Sequence, residues 1–155
     1  MSTRACIKIK ASYYPTERDY AAGRKVARYI LLYHHSDGMP RGVGADLTEF
    51  LRNRQDGYFK KREWDAEKIA TDLVRGECLT AKQYGGYEGV HRDMGYVPAM
   101  CQHGDCEYGY LIDCDALTLT CYELDYDKYG EEWQEKDIVE IPDLYHDKRL
   151  ELPAL

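Results

Sequence analysis

No apolar run in the sequence approaches the roughly 20 residues that a membrane-spanning helix needs. The opening stretch "MSTRACIKIK" lacks the unbroken apolar segment and cleavage site of a secretory signal. A cytoplasmic location is therefore expected, with no membrane partner. The six cysteines should then be reduced thiols rather than a disulfide framework. Phenylalanine is scarce, with two residues against fifteen tyrosines. Tyrosine joins a flat apolar ring to a hydroxyl, which suits half-buried strand positions as well as interfaces and pockets.

Basic charge is scarce in one long stretch of the chain. Between Asp105 and Asp147 there are 14 acidic residues and only two basic ones, Lys128 and Lys136. Up to Asp65 the balance reverses, with 13 basic against 8 acidic residues. A duplex binder normally concentrates basic charge on one face. The overall charge of −7 speaks against a nucleic-acid partner. What remains is a small anion at the mildly basic end, or a basic protein partner for the acidic end.

The length of 155 residues suits a single domain spanning 1–155. "TRACIKIK" alternates, placing Ala5, Ile7 and Ile9 on one face of a strand and Arg4, Lys8 and Lys10 on the other. "VARYILLYHH" is apolar on both faces and reads as a central strand antiparallel to the first, with residues 11–25 as a long connection or hairpin extension. Val43, Leu47, Phe50 and Leu51 recur at helical spacing up to Gly57. A second helix is clearer, with Asp65 as N-cap, a stripe of Ala66, Ile69, Ala70, Leu73 and Val74, and Gly76 as its stop. "QYGGYEGVHRDMGYVP" reads as a glycine-rich loop, "EYGYLID" and "LTLTCYEL" as a hairpin, and "IVEI" as a brief last strand. The expected fold is α+β: an antiparallel sheet of about five strands with two helices packed on one face.

The chemistry concentrates in "YHHSDGMPRGVGADLTEF", residues 33–50. Asp37, Gly38 and Pro40 have a turn reading, in which Gly38 permits positive φ and Pro40 fixes φ. The glycines form no phosphate loop, because the Gly-Lys-Ser/Thr ending is absent. They do precede a helix, where free N–H groups and the helix dipole favour an anion, with Arg41 as a further donor. His34 and His35 adjoin on a strand, so they should face opposite ways, one toward the sheet or core and one toward the turn. Cys101, His103 and Cys106 invite a zinc reading, but their spacing lacks a second ligand pair, so neither a metal nor a cofactor is expected. No Cys–His pair carries a nucleophile signature.

"MSTRA" opening a strand, with "YHHSDGMPRGVGADL" leading into a helix, resembles a group of small proteins found in phages, prophages and bacterial genomes. The group's pattern is Met-Ser/Gly-Thr-Arg, a strand, then Tyr-x-His-x-Asp-Gly-Tyr-Pro and a glycine-containing helix start. The likeness covers the first ten residues, Tyr33 to Leu51 and roughly Cys106 to Leu124, while the insert from Ala11 to Lys25 and Met39 depart from it. It implies a phage-type accessory, counter-defence protein, and it singles out Thr3, Arg4, His35, Asp37, Gly38, Pro40 and Gly42.

Three functions follow as expectations. The first is sequestration, without catalysis, of an anionic small molecule such as a nucleotide-derived immune signal, at Thr3, Arg4, His34, His35, Asp37, Arg41 and Gly42. The second is inhibition of a host defence protein through the acidic, tyrosine-rich half. The third is a small hydrolase with His34 or His35 as base and Asp37 as orienter. All three are compatible with a homo-oligomer.

Overall fold

The computed structural model describes residues 3–55, 64–81, 87–91, 93–124 and 133–142. The chain runs β1 (Ala5–Tyr13), α1 (Glu17–Ala22), β2 (Val26–His34), a π-helical turn (Pro40–Gly44), α2 (Ala45–Gln55) and α3 (Ala66–Arg75). It continues through β3 (Glu77–Ala81), β4 (Tyr87–His91), β5 (Tyr96–Pro98), β6 (Tyr108–Asp113), β7 (Thr118–Glu123) and β8 (Ile138–Val139). The fold is α+β, with a six-stranded sheet ordered β5-β2-β1-β6-β7-β8 and a separate β3–β4 hairpin.

Side-chain alternation explains how the sheet sits. Ala5, Ile7 and Ile9 are fully buried. They join Leu32, Tyr110, Ile112, Leu119 and Cys121 in one core with Val43, Leu47, Phe50 and Leu51 of the α2 region and Ile69, Ala70 and Leu73 of α3. α3 keeps the ends expected of it. Asp65 accepts from the Lys68 N–H at 2.9 Å, and Gly76 closes the helix at φ 73°. α2 and α3 thus cover one sheet face. The other carries Cys6, Lys8, Lys10, Tyr29, Leu31 and Tyr33, because side chains alternate along paired strands.

The sheet departs from the expected plan in its centre. β1 and β6 are parallel, from Ala5↔Tyr108 to Lys10↔Asp113, while the other described pairings in this sheet are antiparallel. Alternation fixes which face a residue takes, but neither its neighbour strand nor that strand's direction. Strand number and helix number also exceed expectation. The glycine-rich stretch contributes β4 and β5, and the connection after β1 contains α1, capped by Thr16 and Gly23. Gly57 and the chain beyond Pro142 lie outside the described residues. Among the described residues no helix is long and apolar enough to cross a membrane.

Candidate functional site

The crowded turn after β2 has a packing explanation. Gly38 donates its N–H to the Thr3 carbonyl at 2.8 Å, and its own carbonyl accepts from the Tyr110 hydroxyl at 2.7 Å. A Cβ on Gly38 would lie 2.7 Å from the Arg4 carbonyl carbon and 2.9 Å from Ala5. The left-handed backbone falls instead on Asp37, at φ 53°. Gly38 is therefore required by close approach to β1, not by positive φ.

The same geometry changes the picture of an anion cradle at the helix start. Val43 N–H binds the Asp37 carbonyl at 2.8 Å, and Gly42 N–H binds the Met39 carbonyl at 2.9 Å. The donors that would have faced an anion are engaged within the turn. Arg41 is exposed, and Thr3 enters through its backbone. Among the described residues Asp37 makes no hydrogen bond or ion pair with His35, so an Asp37-oriented histidine base is not assembled there.

The two histidines part company as strand alternation requires. His34 is buried and its Nε2 donates to the Met94 carbonyl at 2.7 Å. Its Nδ1 is then the acceptor, and it is buried without a hydrogen-bond partner. Tyr96 packs edge-on against the ring at 4.8 Å. His34 is thus a core histidine, separated by the sheet from the exposed His35.

His35 belongs to a polar cluster at the end of the second face. Tyr33 stands at its centre, its hydroxyl 3.3 Å from Asp105 Oδ2 and 3.3 Å from His35 Nδ1. The phenol has one proton and the carboxylate can only accept, so Tyr33 donates to Asp105 and receives from His35 Nδ1–H. That tautomer leaves His35 Nε2 as an open acceptor. Burial, and then the Asp105 charge, push the Tyr33 phenol above its ordinary range, which keeps it a donor. His103 stacks on the Tyr33 ring at 4.2 Å. Arg4 Nε lies 3.1 Å from Asp105 Oδ2. This is an ion pair without hydrogen-bond alignment, because Arg4 Nε and Asp105 Oδ1 are both shut off from solvent with no hydrogen-bond partner.

β1 places Arg4, β2 places Tyr33 and the following turn places His35. Asp105 and His103 come from the Cys101–Cys106 loop, which reaches β1 because Glu107 N–H donates to the Arg4 carbonyl at 3.0 Å. That loop was read from the sequence for zinc alone, and its part in a polar cluster was missed. Among the described residues no three His, Cys, Asp or Glu side chains gather as metal ligands. Burial pushes the Cys6 thiol up to about 11 and the Cys106 thiol up to about 12. Both stay protonated near neutrality, which deprives a thiolate nucleophile of its reactive form.

Beside this cluster the face forms a recess of about 270 Å³ lined by Lys8, Tyr29, Leu111, Tyr122 and Trp133. Trp133 is held on several sides. Its Nε1 donates to Gln102 Oε1 at 3.1 Å, the Lys8 ammonium sits 4.1 Å from its ring centre, and Tyr122 leans on it at 5.3 Å. Gly109 is needed beneath it, since a Cβ there would meet the indole at 2.5 Å. Ring and charge are therefore held in place by their own contacts. A polar end and an aromatic recess share one open sheet face, bordered by one tryptophan. No protein-family model, curated protein or solved structure matches this chain.

Proposed function

We propose that the protein is a non-catalytic binding module for a nucleotide-derived anion, taken on the sheet face that the helices leave open. The observation that carries this reading is the sharing of that face by cationic groups, imidazoles and π surfaces: Arg4 and Lys8 with His35 and His103, beside Tyr29, Tyr33, Tyr122 and Trp133. A recess of about 270 Å³ matches a single planar ring system better than a large ligand. Aromatic walls hold such a ring by stacking, and Lys8 attracts an attached anion. Of the residues expected from the sequence, Arg4 and His35 stay in the proposed ligand set, Thr3, His34, Asp37, Arg41 and Gly42 leave it, and Lys8, Tyr29, Tyr33, His103, Tyr122 and Trp133 enter it.

Capture without turnover would serve the counter-defence role implied by the resemblance to phage accessory proteins, with an immune signal as the sequestered molecule. The test is calorimetric titration with cyclic and ADP-ribose-type nucleotides, followed by recovery of the ligand. Binding with the ligand recovered intact supports the reading. Intact binding lost in the Lys8→Ala and Arg4→Ala variants assigns it to this face. No binding by any member of the panel refutes it, and a chemically altered ligand replaces it with an enzyme.

A further inference from the structure

The far end of the β1–β2 hairpin runs past the rest of the sheet. β6 accompanies β1 only as far as Lys10, and β5 pairs with β2 only from Leu32 to His34. Among the described residues the rungs Ala11↔Arg28, Ser12↔Ala27 and Tyr13↔Val26 have no third strand as ladder partner. α1 sits at the tip, and no residue from 11 to 29 is buried. A two-stranded ribbon and a single short helix are each marginal alone in water. This arm adds little to the core, so its persistence in the fold calls for another reason.

Its surface supplies one. Tyr13 and Tyr20 are 44% and 71% exposed. Arg18, Arg24, Lys25 and Arg28 are exposed among them. Arg24 meets Asp19 at 3.5 Å, whereas Arg18 and Lys25 have no carboxylate partner among the described residues. Among the described residues the outer edge of β2 beyond β5 has no strand partner either. The Leu31 carbonyl accepts from Ala99 N–H on that side at 2.9 Å. By strand alternation, Tyr29 and Ala27 present their N–H and C=O groups on the same side, beyond the end of β5.

We propose that the arm is a self-association surface, covered by a second copy of this chain. The same chain carries the complementary charge, 14 acidic against two basic residues from Asp105 to Asp147. Glu123, Glu135 and Glu140 stand exposed within that stretch. In a two-fold dimer each arm lies on the acidic half of the other copy, so one contact is formed twice. Exposed tyrosines supply contact area at low entropic cost, and the open edge of β2 supplies backbone donors and acceptors. A basic, tyrosine-bearing ribbon would also suit nucleic acid, but the chain's net charge of −7 opposes that partner.

Light scattering on the eluting full-length chain, over a wide concentration range at low and high salt, tests the proposal. The expected result is a dimer at low salt that weakens roughly tenfold or more at high salt, as charge-steered contacts do. The double variant Arg18→Glu/Lys25→Glu should elute as a monomer that keeps the far-UV circular dichroism of the wild type, with a melting temperature that no longer rises with protein concentration, and Tyr20→Ser should weaken the dimer in the same direction. Neither variant touches a buried residue, so loss of folding does not confuse the result. A monomer under every condition overturns the proposal, as does a dimer indifferent to both variants. A labelled DNA duplex retarded by the wild type and released by the charge reversal also overturns it, assigning the arm to nucleic acid.

Discussion

Ile7 and Lys8 are consecutive residues of one strand in different surroundings. Ile7 points into the layer formed by α2 and α3 and is fully buried. Lys8 points to the uncovered face, over the Trp133 ring. The first face is a continuous apolar core, whereas among the described residues the second holds a small cluster of Cys6, Tyr33 and Cys106, with Trp133 packed against it. Stability is concentrated on one side of the sheet. Polar and aromatic groups on the other side are thereby free to take geometries that packing alone would not select.

The largest test of this contrast sets the two neighbours against each other. Ile7→Ala should lower unfolding free energy by about 2–5 kcal/mol, through lost burial and the cavity left behind. Lys8→Ala should change it by less than about 1 kcal/mol, like other substitutions outside the core. Urea unfolding of both variants gives the answer, and equal losses would break the distinction between the faces.

A smaller effect belongs to the junction of the two faces. Gly38→Val should cost about 1–3 kcal/mol by overpacking, because its Cβ would press on the backbone of Arg4 and Ala5. A thermal melt reads this directly. An unchanged midpoint would mean that the turn moves away from β1 freely, against the two hydrogen bonds that hold Gly38.

The smallest stability effects should come from the open face itself. The Arg4 and Asp105 side chains are 32% and 42% exposed, and an ion pair this accessible contributes little. Arg4→Ala and His35→Ala should each shift stability by less than about 1 kcal/mol, while nucleotide binding falls in the same samples. Unfolding of both variants would make the polar cluster scaffolding and remove it from the candidate site.

What was readable in the sequence is what depends on neighbours along the chain. The alternation of Ala5, Ile7 and Ile9, the Asp65 and Gly76 ends of α3, and the β6–β7 hairpin are local patterns, and the structure shows each. The parallel pairing of β1 with β6 is not local, and no periodicity encodes it. β4 and β5 were hidden by glycines that also suit loops, and α1 by the Pro15 and Gly23 around it. Within the site, Arg4 and His35 were marked by their turn. Asp105 and His103 reach them only after the chain has passed through most of the fold, so sequence proximity carried no signal. Gly38 was rightly singled out, but for the wrong physical reason.

The central position of β1 also bears on how the chain acquires its structure. One edge of β1 finds β2 within a hairpin, but the other pairs with Tyr108–Asp113, about a hundred residues later. Closing so long a loop is slow compared with forming a hairpin. At roughly 5–20 residues per second of synthesis, that edge waits about 5–20 s for its partner strand to be made. During that interval Ala5, Ile7 and Ile9 line an incomplete sheet, so aggregation should be most acute in nascent chains that stop short of β6.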